Sequence, residues 1–386
     1  MPSSGILDLA IGLIFVFAVM AALSSVATEL ISRFLGLRGA YLLTGLRELV
    51  DGGDVTTDLG HADQAYQAVQ KMVRGDADAP AELPSVTSAL LGGPILGSQG
   101  MVGQMSGRTL TLTPAAAPKP GVRARLGRLV RPGRLPAMTA SGPGSPRSQR
   151  RSLPSYISAT SFAEAVIDLV VPDAGGNTTM GTIQDNVNKL PRSLFTQSLQ
   201  ALVKNAGDDV GQFRTGVERW YDDHMDRVSG WYKRHVATIT LAVGAILVVL
   251  LNINALTIGR TLYTDTAVST AVSAVAAKGT NCTDSQTQQQ CLAGLQGELS
   301  AATAAGLPIG WGTVRDCAEP TSHCNWLDQR GIFSRHGGSG WQLVLALIGF
   351  LIMVISLLPG AQFWFGLLTK LGSLRATGPK PAAAAS

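Results

Sequence analysis

The sequence predicts an all-α membrane protein. It would have three transmembrane helices, a small cytoplasmic helical bundle, a disordered basic linker and a disulfide-closed extracytoplasmic loop. Three observations lead there. Apolar stretches of spanning length occur three times in a 386-residue chain that is 46% hydrophobic and only 15% charged, where soluble domains carry about a quarter charged residues. Lys and Arg flank those stretches unevenly. All four cysteines fall in one connecting segment.

A hydrocarbon core about 30 Å thick needs roughly 20 apolar helical residues. Residues 1–27 form the first predicted span, apolar from Ile6 to Ala27, with Asp8 and Glu29 at its ends where water can solvate them. Met1 to Gly5 carries no Lys or Arg, so the segment reads as an anchor rather than a secretory signal. Residues 236–258 form the second span and 341–358 the third, closed by Pro359-Gly360. Cytoplasmic loops gather Lys and Arg close to spans. Nine such residues (Arg33, Arg38, Arg47, Arg219, Arg227, Lys233, Arg234, Lys370 and Arg375) lie on one set of flanks, against four (Arg260, Lys278, Arg330 and Arg335) on the other. The expected orientation is N-terminus outside, residues 28–235 cytoplasmic, 259–340 outside and the C-terminus cytoplasmic.

Residues 28–75 read as cytoplasmic amphipathic helices, the first continuing from the span with a break near Gly36 or Gly39 and the second around Ala62 to Val73. Residues 76–152 read as a disordered basic linker rich in Pro, Gly, Ser and Ala. Between Glu82 and Glu164 there is no acid but ten bases: Arg108, Lys119, Arg123, Arg125, Arg128, Arg131, Arg134, Arg147, Arg150 and Arg151. Such a stretch buries too little apolar surface to offset its entropy. The plainer reading is a solubilising insertion of no particular role; the functional one is an electrostatic tether in which Arg123, Arg125, Arg128, Arg131, Arg134, Arg150 and Arg151 face anionic lipid head groups. Nucleic acid is not an expected partner, because aromatic stacking platforms are missing there.

Residues 153–235 return to helical periodicity. Phe162, Val166, Leu169 and Val170 form a stripe ended by Pro172. A second helix is expected over Leu190 to Ala206. A third runs from Val210 to His235 with Phe213, Val217, Tyr221, Met225, Val228 and Tyr232 on one face. Within it, Asp222, Asp223, His224 and Asp226 suggest metal ligands, but Asp223 lies four residues from both Arg219 and Arg227. Ion pairs therefore account for it, and no metal is expected. Trp220, Trp231 and Tyr232 read as packing and interface residues.

In the second span, Asn252 and Asn254 are polar groups in hydrocarbon, expected to hydrogen-bond between helices. Residues 259–340 read as an extracytoplasmic loop with two short helices. Its cysteines, Cys282, Cys291, Cys317 and Cys324, suit an oxidising compartment. The favoured pairs are Cys282–Cys291 and Cys317–Cys324, both short local loops. Zinc is disfavoured because no CxxC occurs. Residues 359–386 read as an interfacial helix and a cytoplasmic tail, with Phe363, Leu367, Leu371 and Leu374 on one stripe. Trp231, Lys233, Arg234, Trp341, Phe363, Trp364 and Phe365 are the expected interface anchors.

No phosphate-binding loop, dinucleotide fingerprint, zinc-protease motif or nucleophile elbow is present in the sequence. The chain is therefore not expected to be an enzyme, nor to carry a cofactor. Four stretches, "PSYISATSFAEAVIDL", "ERWYDDHMDRVSGWYKR", "LNINALTIGRTLY" and "GAQFWFGLLTKLGSLRATGPKP", together resemble an uncharacterised family of bacterial three-span integral membrane proteins with a GWYKR-type juxtamembrane motif. The resemblance covers roughly a third of the chain and implies a bacterial plasma membrane, with no catalytic residues to carry over. The family pattern has Asp where this chain has Asn254, so it implies no carboxylate relay here. The expected function is a non-enzymatic membrane anchor or scaffold docking a cytoplasmic protein, a contractile injection device being one instance. The alternatives are a homo-oligomeric pore or transport component and a lipid-binding regulator.

Overall fold

A computed structural model describes residues 2–52, 55–97, 109–112, 138–141, 153–172, 178–277, 288–311 and 340–376. They are mostly helical and fall into two compact units, one made of residues 1–30 with 237–386, the other of residues 31–236. Helices α1 (Pro2–Leu35) and α9 (Val210–Leu250) each have one end in each unit.

The first unit is built around α1. That helix is apolar on every side, and such a helix is stable only when surrounded. Its apolar window is 67% buried, with Phe15, Ala18, Val19 and Met20 sealed in the core. Around it pack the C-terminal part of α9, α10 (Ala255–Thr264), α11 (Thr266–Ala277), α12 (Gln288–Ala304), α13 (Gly340–Ser356) and α14 (Ala361–Ala376). The apolar window of α9 is only 11% buried, and Ile246, Val249, Leu250, Leu347, Leu351 and Ile355 are exposed. Those outward apolar faces suit hydrocarbon rather than water. Two helices, α1 and α9, are long and apolar enough to cross a membrane. A third crossing exists if α13 and α14 are counted as one broken span, bent by 93° between Ser356 and Ala361. Asp8, expected near water, is buried in this unit.

The second unit has its own core. Gly36, at φ 61°, ends α1 in the left-handed region that glycine adopts without steric cost, and α2 (Leu37–Val50) follows. Then come β1 (Thr57–Asp58), α3 (Ala62–Arg74), α4 (Val86–Gly92), α5 (Pro94–Gly97), β2 (Thr109–Leu112) and β3 (Met138–Ser141). The unit closes with α6 (Ala159–Val170), α7 (Met180–Lys189), α8 (Leu194–Ala206) and the first part of α9. Ser158, Thr179 and Ser193 each accept the N–H three residues on and so cap α6, α7 and α8, worth about 1 kcal/mol apiece. Side chains close the other ends. Asn186 donates to the Val170 carbonyl at 3.0 Å and Lys189 to that of Val73 at 2.9 Å.

Four sequence expectations change here. The linker expected over 76–152 does not hold for residues 86–97, because Val86, Ala89, Leu90, Leu91 and Leu96 are core residues. A short run of apolar residues between glycines and prolines folds once a preformed core accepts it. The chain is also not purely helical, since β1, β2 and β3 pair antiparallel in that order. The second helix expected over Leu190–Ala206 starts later, as α8 at Leu194, and a helix not expected from the sequence, α7, precedes it with Pro191 between them. Finally, the apolar run 236–258 is not one helix, because α9 stops at Leu250.

Candidate functional site: a tyrosine-lined cleft and an asparagine turn

The break in the second apolar run is built from two asparagines. Asn252 sits at φ 47°, a conformation that asparagine tolerates better than other residues with a Cβ. Its N–H meets the Val249 carbonyl at 3.1 Å, and the Ile253 N–H meets that of Val248 at 3.0 Å. This is a Schellman ending with asparagine in the glycine position. The side chain of Asn252 donates to Gly310 O at 3.1 Å. The remaining carbonyls of α9 are met by the segment around Gly310. Its N–H reaches Leu251 O at 2.8 Å, and the Trp311 indole reaches the carbonyls of Val249 and Leu250 at 3.2 Å each.

Two residues on, Asn254 starts α10. Its carboxamide oxygen accepts from Leu256 N and Thr257 N at 3.0 and 3.2 Å, and its Nδ2 donates to Ala346 O of α13 at 3.0 Å. Gly349 makes room for it, since a Cβ there would fall onto the Asn254 carboxamide. Both asparagines are fully buried. They occupy the end of one helix and the start of the next.

The larger feature lies in the second unit. Along α9, Tyr221, Met225, Val228 and Tyr232 recur at helical spacing and face α2. Close approach needs Gly45, because a Cβ there would lie 2.6 Å from Val228 Cγ2. The stretch Ser155–Ile157 is tied alongside by the Tyr221 hydroxyl, which donates to Ile157 O at 2.9 Å. Between these three segments opens a cleft of about 430 Å³. Four of the six tyrosines of the chain line it: Tyr41, Tyr156, Tyr221 and Tyr232.

The rings are held in place. Phe162 stacks on Tyr221 with centroids 4.6 Å apart, and Tyr41 meets Tyr232 edge-on at 5.7 Å and His235 at 5.7 Å. Arg38 Nε donates to the Tyr232 hydroxyl at 3.3 Å. Asp222 and Asp226 project at the rim, both exposed. Burial raises the Tyr221 phenol pKa well above its ordinary value, with Tyr156 and Asp222 nearby adding to the shift. Burial likewise raises that of Tyr41. His224, half-buried beside the Gly45 backbone, is held below the ordinary histidine value by burial and by Arg227. Burial therefore keeps the Tyr41 and Tyr221 phenols in their neutral form at neutral pH.

The other expected residues are placed as follows. Asp223 is exposed and, among the described residues, makes no ion pair with Arg219 or Arg227. Arg214 instead bridges Glu164 at 2.7 Å and Glu218 at 3.4 Å. Trp231 is half-buried, while Lys233 and Arg234 are exposed. Trp341 and Phe363 are exposed. Trp364, by contrast, turns inward, since its indole donates to Ser356 O at 2.6 Å and its ring lies 5.0 Å from Phe17. Phe365 also packs on the first unit's core. Cys291 is buried on α12, and Cys282, Cys317 and Cys324 lie outside the described residues. So do Arg123, Arg125, Arg128, Arg131, Arg134, Arg150 and Arg151.

Sequence reading placed Tyr221 and Tyr232 on a packing stripe but did not join them to Tyr41 and Tyr156. The one available signal was that "PSYIS" and "ERWYDDHMDRVSGWYKR", two of the stretches singled out above, supply most of the cleft wall. No protein-family model matches the chain, and no curated protein or solved structure is similar to it.

Proposed function

We propose that this chain is a multi-pass anchor in a bacterial plasma membrane that holds a cytoplasmic protein assembly and performs no chemistry itself. One observation carries the reading. A unit of apolar helices, exposed where hydrocarbon would cover them, shares α1 and α9 with a second unit that has a complete water-soluble type of core. A membrane enzyme or channel concentrates polar groups within its apolar helices. Here Asn252 and Asn254 are turned to backbone carbonyls of their own chain.

The Lys and Arg distribution supports residues 28–235 lying in the cytoplasm with the N-terminus outside. The confinement of cysteines to residues 282–324 supports an oxidised outer lobe closed by Cys282–Cys291 and Cys317–Cys324. The resemblance to the bacterial three-span family supports the same location. Membrane lipids and one cytoplasmic protein are the partners, and a contractile injection device is one machine of the required kind.

Crosslinking in native membranes, followed by identification of bound proteins, tests the reading. The expected result is a reproducible cytoplasmic protein crosslinked through residues 31–236. Crosslinks from the chain only to itself, together with an oligomeric mass in mild detergent and ion flux in liposomes that falls in an Asn252→Leu, Asn254→Leu variant, would replace the anchor by a pore.

A further inference from the structure

We propose that the tyrosine-lined cleft receives an arginine side chain of the cytoplasmic partner. The inference rests on the anchor reading and adds the chemistry of the contact.

Three features point to a guanidinium. First, Asp222 and Asp226 stand one helical turn apart on the rim, exposed, and neither forms an ion pair among the described residues. Like charges at that spacing repel, and a cation set between them relieves the repulsion. Second, the wall behind them is aromatic. Phenol rings present a negative face that attracts a cation, and a planar guanidinium also stacks on them, which an ammonium does not. Third, Tyr41 is almost wholly buried in that wall, and its phenol oxygen has no hydrogen-bond partner among the described residues. A buried polar atom in that state calls for a partner, and a guanidinium brings five donors in a fixed fork. Among the described residues the one base lining the cleft is Arg38, and it is engaged with the Tyr232 hydroxyl.

The test uses the full chain in an uncharged maltoside detergent, with methionine methyl groups labelled for NMR and the Met225 signal assigned by Met225→Leu. The probes are acetyl-Gly-Gly-Arg-Gly-Gly-amide and its citrulline analogue, which has the same shape without the charge. The Met225 methyl should shift with the arginine peptide, and half-saturation should need at least about tenfold more of the citrulline peptide. An Asp222→Asn, Asp226→Asn variant, checked for unchanged thermal unfolding, should weaken arginine binding by about tenfold or more.

Equal binding of the two peptides, an unchanged affinity in the double variant, or no Met225 shift would each overturn the proposal. So would ethanolamine or choline matching the arginine peptide, since the cleft would then serve a lipid amine. Peptide binding that fails while native-membrane crosslinks persist removes the cleft and leaves the anchor. Binding that holds while no partner crosslinks does the reverse.

Discussion

Replacing Asn252 separates a backbone requirement from a side-chain one. The residue ends α9 at φ 47° and donates to Gly310 O at 3.1 Å. Alanine meets both costs. Left-handed backbone is unfavourable by about 1–2 kcal/mol for a residue with an ordinary Cβ, and the lost hydrogen bond adds about 0.5–1.5 kcal/mol. Asn252→Ala is therefore expected to destabilise by about 2–3 kcal/mol. Glycine adopts the conformation freely and loses the hydrogen bond and some chain entropy, for about 1–2 kcal/mol in all. Reversible unfolding by dodecyl sulfate in mixed micelles, followed by far-ultraviolet circular dichroism, measures both. The ordering matters more than the sizes. If glycine costs as much as alanine, the left-handed turn is not what position 252 provides. If neither costs more than about 0.5 kcal/mol, the segment 308–311 does not hold the end of α9.

Three other outcomes follow from the same geometry. Gly45→Val should destabilise residues 31–236 by about 1–3 kcal/mol in thermal unfolding, because the added methyls meet Val228 where only hydrogen fits; Gly230→Val, where a Cβ has open space, should cost far less. The Asp51 carboxylate accepts from Ser85 Oγ at 2.7 Å, Val86 N at 2.7 Å and Thr87 N at 3.3 Å, yet burial outweighs these and raises its pKa. A raised folded-state pKa gives stability that is complete below the ordinary carboxylate range and declines as pH rises through the folded value. Denaturant melts from pH 3 upward should show that decline, and Asp51→Asn should abolish it. Trp364→Phe should lose only the bond to Ser356 O, about 1 kcal/mol, whereas Trp364→Ala should cost about 2–3 kcal/mol by also exposing Phe17, both read by detergent unfolding.

Periodicity carried most of the fold. The stripe Phe162, Val166, Leu169 lies on α6 as expected, and Phe213, Val217, Tyr221 face the core along α9, because burial of a helix face is a local property of spacing. What escaped was set by other parts of the chain. Residues 86–97 look like linker in isolation, and they fold because α3 and α6 offer an apolar bed. The turn at Asn252 is hidden inside an apolar run, since hydropathy does not register that the carbonyls of α9 are met by a segment some sixty residues downstream. The cleft was invisible for the same reason. Its walls come from α2, Ser155–Ile157 and α9, and only the tertiary approach permitted by Gly45 makes four separate tyrosines into one surface.

Gly349 and Asn254 act as a lock and its key in inheritance. Any side chain acquired at position 349 evicts the carboxamide, so the amide donor of residue 254 and the bare backbone of residue 349 must be gained or discarded together. In a lineage of such proteins, reading either position alone would mislead, and the pair would report whether α10 is still fastened to α13.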